Sequence, residues 1–579
     1  MKKRKIFPVC LSFMLASTAL LGAVACNGRG GDSIIDPPTE SVDEERTQLY
    51  VFNTDFGVDS AWLMDAKQRF ETLYESASLE PNKKGVQVVV RNTHKTAMDV
   101  ESTLLTDREE VYFTQESDYR YLAGKGLLAD VTDAVTAKIT MDKQSATASE
   151  PSIVEKLSSQ QKAYYSIAET GAGMDATVKY YAVPYAFSQF GIVYNVELFD
   201  KMGYYFAATP NADGTPFITL ENQTKSLGAD GKAGTFDDGL PTTYQEFFTL
   251  CDYILSKKQV PITWGGASYE VYLSWLTNAL AVDYEGLQQA LLQYTFNGEA
   301  TNLGTIQNAT FKADDHSTQI TPDNAYELAR SAGNYYALGF MKKLLGGAVK
   351  YYDVSAFKKN SSQDEARKEF IWKGEDGELS DIAMLFDGSW WESDATPSFE
   401  TLAEEHGETC AKENRRFGWM PLPKASDGKA SRSQTITDCL GSMAFIKSNI
   451  AGWKKPLAED FLRFIYSEAE LLSYTKTTGT LPAVSCSLDE SDIASLTYFG
   501  QSLLAANSTA EILYPYSSSE LFTRNERFFS PLEKWRASFV FASEEQYPIY
   551  AFKARNMSVI DYFNGMQKYR MEMWPSVVS

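Results

Sequence analysis

Two stretches of the chain end a run of β-forming residues in tryptophan: Val260-Pro-Ile-Thr-Trp264, followed by two glycines, and Asp381-Ile-Ala-Met-Leu-Phe-Asp-Gly-Ser-Trp390-Trp391. Two others end in polar loops, Asn53–Gly57 after Gln48-Leu-Tyr-Val-Phe-Asn53 and Thr114–Asp118 after Glu110-Val-Tyr-Phe-Thr114. Rings beside carboxylates and amides make a chemistry of binding rather than of reaction. Aromatic rings cover the C–H faces of a sugar, and planar carboxylates and amides satisfy its hydroxyl rim. With 33 Tyr and 10 Trp, the chain has rings to spare for such a surface after filling a core.

Reactive constellations are missing. The sequence has no GxSxG elbow, no HExxH helix and no GxxxxGK[ST] phosphate loop. Its three histidines argue against a histidine-rich transition-metal site. Between Leu227 and Pro241, Asp230, Asp237 and Asp238 alternate with glycines and resemble a short calcium loop, with hard oxygens on a tightly turning backbone. The loop lacks the alternating Asp/Asn run and closing Glu of an EF-hand, and an acidic turn is the competing reading. No other cofactor is implied.

The first residues carry an address. Lys2, Lys3, Arg4 and Lys5 precede an apolar stretch from Ile6 to Ala25, and Gly22-Ala-Val-Ala25 leads directly into Cys26. A cationic block, an apolar run and small residues before a cut site make a secretory leader. The run into Cys26 resembles a lipobox, with Ala23 where leucine is usual. Residues 1–25 are therefore expected to be a lipoprotein signal peptide and Cys26 the acylated, palmitate-bearing N-terminus. That predicts a lipid anchor on the extracellular face of a bacterial cell membrane. Residues 26–46 hold too few large apolar side chains to offset ordering entropy and read as a flexible tether. No later segment is an uninterrupted apolar run long enough to span a bilayer.

The net charge is −22, and removal of the leader strips four cations and no acid. Such a body repels nucleic acid and anionic lipid surfaces. Cys251, Cys410, Cys439 and Cys486 show no metal-ligand spacing; a disulfide scaffold is not expected, although one or two bridges among them stay open. The length demands more than one lobe.

The polar and aromatic loops need elements to hold them. Gln48–Asn53, Gly85–Arg91 and Glu110–Thr114 read as strands, Ser60–Ser76 as an amphipathic helix, and 97–106 as a helix capped by Thr96. Strand–helix alternation implies an α/β lobe with a largely parallel sheet, whose ligands lie beyond the strands' carboxyl ends. Tyr180–Asn195 is a long extended segment running into a helix at Val196–Met202. Thr242-Thr-Tyr-Gln-Glu246 has the form of a capped helix start.

In order and spacing these pieces resemble the family-1 extracellular solute-binding proteins, the group that includes the maltose-binding type. The resemblance runs from about residue 48 and takes in Ala123-Gly-Lys-Gly-Leu-Leu-Ala-Asp-Val-Thr132, Ala182-Val-Pro-Tyr with Tyr194-Asn195, Trp419-Met-Pro-Leu-Pro423 and Ala458–Phe464. It implies an α/β fold: a two-lobed, periplasmic-binding-protein-like clamp of mixed sheets flanked by helices, with the ligand cleft between the lobes. Lobe one falls at 47–186 with 435–490 and lobe two at 187–434 with 491–579, with a crossing near Pro184–Gly191 and extra length near 205–240, 284–325 and 392–416.

Carried over position by position, the family's cleft loops fall on Asp55, on Gln115, Glu116 and Asp118, on Ser188 and Gln189, on Tyr269, and on Trp390 as a stacking platform. Trp264, Trp391 and Glu392 are close enough in sequence to join them. Trp264 and Trp391 could equally be core, because neighbouring Trp390 and Trp391 in a strand face opposite ways. Asp118 could simply cap the short helix after it. The function this implies is capture of a carbohydrate, an oligosaccharide, by a monomer that hands it to the permease subunits of an ABC importer, without catalysis. The alternatives are the same fold binding a peptide, polyamine or other solute, a surface glycan hydrolase, or an adhesin.

Overall fold

The computed structural model describes residues 41–55, 58, 60–115, 118–140, 150–169, 177–374, 376–426, 433–538 and 547–579. The signal peptide, Cys26, most of the tether expectation and Glu116 lie outside the described residues.

The architectural strands of the first half are β1 (Thr47–Thr54), β2 (Val86–Thr93), β3 (Val111–Gln115), β4 (Ala182–Val183), β5 (Phe190–Asn195) and β6 (Val260–Thr263). Those of the second half are β7 (Ile382–Gly388), β8 (Phe417–Met420), β9 (Thr435–Thr437), β10 (Ser442–Ile446) and β11 (Glu511–Leu513). They form two main sheets. One has the order β2-β1-β3-β10-β4 and the other β8-β5-β7-β6. In the first, β1 pairs in parallel with both β2 and β3, while β10 runs antiparallel to β3 and β4. In the second, β7 is parallel to β6 and antiparallel to β5. Both are mixed sheets, and β5 and β7 are buried along their whole length, as unbroken apolar strands covered on both faces must be.

Helices cover each sheet. On the first, Phe70 of helix Ala61–Leu73 packs edge-on against Phe461 at 4.9 Å, and Arg69 donates two hydrogen bonds to the Glu470 carboxylate at 2.8 and 2.6 Å. These contacts bring residues 455–478 back onto the sheet built from residues 47–115. On the second, Tyr244–Ser256 begins as its sequence predicts: Thr243 accepts the Glu246 amide hydrogen, and the Glu246 carboxylate accepts that of Thr243. Asn195 likewise caps Val196–Met202, which ends at Gly203 with φ 68°, a left-handed stop that suits glycine.

Two local expectations fail. Residues 97–106 make successive turns rather than a regular helix. Asp99, not Thr96, is the acceptor there: it takes the Thr96 amide and hydroxyl hydrogens, and backbone bonds then close over three residues, Glu101 to Met98 and Thr103 to Val100. The strand expected to run to Trp391 stops at Gly388, and Trp391–Asp394 is a short helix. Trp390 and Trp391 diverge because the chain turns between them, not because a pleat alternates.

The four described cysteines are free thiols. No described helix is long and apolar enough to cross a membrane.

Candidate functional site

The two sheets are joined through the 184–189 segment between β4 and β5, through β9 and the 438–441 loop leading into β10, and through β11, which pairs in parallel with β9. Asp438 ties these together. Its carboxylate accepts the Ser188 amide hydrogen at 3.3 Å and that of Gly441 at 3.4 Å, and its own amide donates to Leu513 O at 3.1 Å. Gly441 sits at φ 67°, which lets the loop fold back under the carboxylate. The group is buried, and burial pushes its pKa up to about 7 against the pull of those amides.

Ser188 and Gln189 lie in the first connection, where the sequence placed them. Cys439 N–H donates to Ser188 O at 2.8 Å. Gln189 exchanges hydrogen bonds with Ser389, the residue before Trp390, and its amide donates to Asn507 at 3.0 Å. Its Oε1 is buried without a partner in the structure, an acceptor left over at the junction.

Lobe one offers a polar wall. After β1, Asp55 Oδ1 sits 3.1 Å from His94 Nδ1, which follows β2. Gln115 closes β3 and is buried opposite Ser442. Asp118 stands before helix Tyr119–Gly124 but makes no side-chain cap, so its carboxylate is not spent on the helix. Burial raises its pKa, and the Glu101 charge adds to that while Arg527 opposes it. Glu526, from a segment far along the chain, is raised to about 8, first by burial and then by the Asp118 charge. Tyr164 donates to Glu526 at 3.1 Å.

Lobe two gathers a cluster of packed rings beside the junction. Trp390 packs edge-on against Trp275 with ring centroids 5.9 Å apart, and Phe190 meets Tyr272 edge-on at 5.0 Å. The Trp390 ring folds over Gly388, where an added Cβ would meet it at 2.1 Å. Trp390 is 3% exposed, so it is packed into the core rather than open as the stacking platform expected of it, and Trp275 is the more open member of the cluster.

Other expected residues face elsewhere. Trp264 and Trp391 are 0% exposed and offer no surface to a ligand. Trp264 stacks on Phe386 at 5.7 Å, and Trp391 is boxed in by Phe417 and Phe499 at 5.2 and 5.3 Å. Both belong to the core because the sheet of lobe two needs large rings on its covered faces. Tyr269 donates to Tyr550 Oη at 3.0 Å, and Tyr550 donates in turn to the Glu270 carboxylate. Glu392 accepts the Thr497 hydroxyl hydrogen at 2.7 Å, and burial raises its pKa to about 7.

Asp230, Asp237 and Asp238 do not form a calcium cage. Asp237 accepts the Ala229 and Asp230 amide hydrogens at 2.6 and 2.9 Å, Asp230 that of Lys232 and Asp238 that of Gly234. The carboxylates turn onto the backbone, and no metal-holding cluster of acidic, His or Cys groups occurs among the described residues.

A groove of ≈ 710 Å³ lies apart from these residues: it is lined by Arg120, Tyr121, Glu169 and Tyr181 from lobe one and by Thr523 and Arg524 from the later chain, and by none of the ligand residues expected from the sequence. Arg120 is locked by its bonds to Tyr164 O and Ser166 O. The opposite wall is anchored on helix Leu287–Thr295, where Phe522 meets Tyr294 at 5.9 Å. The volume lies in the range of small-molecule sites, about 300–1,000 Å³.

No family model matches the sequence, and no curated protein matches it. Solved structures do match the fold. SBP RafE in complex with raffinose aligns with a TM-score of 0.50 at 14% identity, covering 91% of this chain and 100% of that one. A chitin oligosaccharide binding protein aligns with a TM-score of 0.51 at 14% identity, covering 92% and 100%. The chain has their two-lobed fold. Within that clamp, sequence reasoning missed Asp438, Glu526, Tyr272, Trp275 and the Tyr121–Tyr181 groove. Tyr272 and Trp275 sit on Tyr269–Glu285, a helix apolar nearly all round, so no stripe set them apart.

Proposed function

We propose that the chain is the extracellular solute-binding component of an ABC importer, capturing an oligosaccharide between its lobes and handing it to a membrane permease. The groove of ≈ 710 Å³, with Tyr121, Tyr181 and Arg120 on one side and Thr523 and Arg524 on the other, carries this reading. Two proteins that share the fold over their whole length are SBP RafE in complex with raffinose and a chitin oligosaccharide binding protein. Ligand touching both walls favours the closed arrangement, and closure is what a permease would read. Lobes near 47–186 with 435–490 and 187–434 with 491–579, a leader ending at residue 25, acylation at Cys26, a position on the outer face of the cell membrane and a monomeric state complete the proposal. The chain binds without catalysing.

A second reading is a cationic solute such as a polyamine, whose charge would draw off the proton that burial and the Asp118 charge hold on Glu526 at neutral pH. Thermal-shift measurements with raffinose, chitooligosaccharides and spermidine separate the two. Ligand at 100 times its Kd adds about 2.7 kcal/mol. Stabilisation by a glycan and not by spermidine is expected. Response to spermidine alone transfers the function to the second reading, and new reducing ends in the glycan samples would make the protein a hydrolase.

A further inference from the structure

Residues 520–529 are fastened to lobe two by their packing. Phe522 meets Tyr294 edge-on and Phe529 lies against Phe296, with ring centroids 5.9 and 4.8 Å apart, and the Asn525 amide donates to Val577 O at 3.0 Å, near the end of the C-terminal helix. A polar side chain of the same segment reaches the other lobe. Tyr164 of lobe one donates its hydroxyl hydrogen to the half-buried Glu526 carboxylate at 3.1 Å. Tyr164 is held fast: it is 0% exposed, the Tyr516 ring stands 4.4 Å from its own, and the Arg120 guanidinium lies over it at 5.7 Å. The lobes thus share a hydrogen bond with one rigid end, on Tyr164, and one end on an irregular segment.

Two acids meet at that bond. Asp118 acts on Glu526 from the residue before helix Tyr119–Gly124, Arg120 from the helix itself, and Tyr164 from helix Ser159–Tyr165. Arg527 and Glu101 act in turn on Asp118 with opposite sign, and Glu101 is paired with Lys125. Arg120 spends its bonds on the carbonyls of Ala163, Tyr164 and Ser166. Burial raises Glu526 to about 8, and the Asp118 charge adds to that while Tyr164 and Arg120 oppose it. Asp118 therefore ionises first, and at neutral pH the pair keeps one proton, on Glu526. With the lobes parted, water would surround Glu526 and return it toward the ordinary carboxylate range, so closing takes up a proton. The gain is complete below the ordinary range and is lost as pH rises to about 8.

We propose that Tyr164, Glu526 and Asp118 form a proton-held latch between the lobes, shut while the two acids keep one proton and released when both are ionised. Arg120 and Tyr121 on one side, and Thr523 and Arg524 on the other, place the latch beside the groove, so it governs the groove's opening. The latch does not rest on what the groove binds.

Small-angle X-ray scattering on the full chain without ligand tests it, with circular dichroism to show that the fold persists. As pH rises from about 5 to 9, the ratio of closed to open molecules should fall by up to about tenfold per unit and level off above about 8, and the radius of gyration should rise with it. Glu526→Gln, neutral at every pH and still able to accept from Tyr164, should stay compact throughout. Asp118→Asn should expand less than wild type. Asp438→Asn should expand as wild type does, which separates the latch from titration at the hinge. A radius of gyration that ignores pH overturns the proposal, as does an expansion equal in Glu526→Gln and wild type, one abolished by Asp438→Asn, or one accompanied by loss of the dichroism signal. If Glu526→Gln does not fold, Asp118→Asn decides, and an expansion as large as wild type's counts against the latch.

Discussion

At the hinge, Ser188, Gln189 and Asp438 are buried and nearly every polar atom is committed to another strand of the junction. At the groove, Tyr121 is 41% exposed and holds only the exposed side chains of Glu101 and Lys125. The two regions use similar residue types for opposite ends. Polar groups withdrawn from water fix the geometry through which the lobes are joined, because each unmade bond there costs about 1–3 kcal/mol. Polar and aromatic groups left in water cost the fold little and remain free to meet a ligand. Stability should therefore respond to the hinge, and affinity to the groove.

The largest effect expected is at the hinge. The Asp438 pKa stands near 7, above its unfolded value, so the folded chain holds a proton that the unfolded chain has lost. Its contribution to stability is complete below about pH 4 and is lost as pH rises to 7. Asp438→Asn removes that slope. Urea unfolding across pH 4–8 should show wild type losing up to about 4 kcal/mol relative to the variant. Parallel pH curves for the two proteins would remove Asp438 from the account.

Trp390 tests the border between the regions, since it is packed like core yet stands at a strand exit facing the junction. Trp390→Ala should lower stability by about 3 kcal/mol and leave glycan affinity within about twofold, because the ring does not line the groove. A tenfold loss of affinity in calorimetry, about 1.4 kcal/mol, would move the binding site to the Trp390 cluster. Tyr121→Ala sharpens the other side: affinity should fall about fivefold, roughly 1 kcal/mol, with stability unchanged within about 0.5 kcal/mol. A destabilised variant with full affinity would reverse the comparison. Smallest of all is the acidic loop. With Asp230, Asp237 and Asp238 turned onto amides, a chelator should leave the melting temperature where it was, and a drop would restore a calcium site there.

Much of the fold was legible because its signals are local. The capping box at Thr243 and Glu246, the Asn195 cap and the apolar strands β5 and β7 each fix themselves within a few residues. The first connection at Ser188–Gln189 was legible by resemblance. The rest depends on partners distant in the chain. Glu526 reaches Tyr164 across 362 positions, and Asp438 reaches Ser188 across 250, with no pattern in sequence that joins either pair. Trp264 and Trp391 misled because a ring at a strand's end looks alike whether it meets ligand or Phe386 and Phe417. The turns at 97–106 misled because the Thr96 hydroxyl donates to Asp99 and so does not accept from the first turn as an N-cap would.

The most direct test is a crystal structure of the chain with the glycan that stabilises it most. The account predicts a sugar in the groove touching Tyr121 or Tyr181 on one side and Thr523 or Arg524 on the other. A glycan seated on one wall only, or outside the groove altogether, would contradict it.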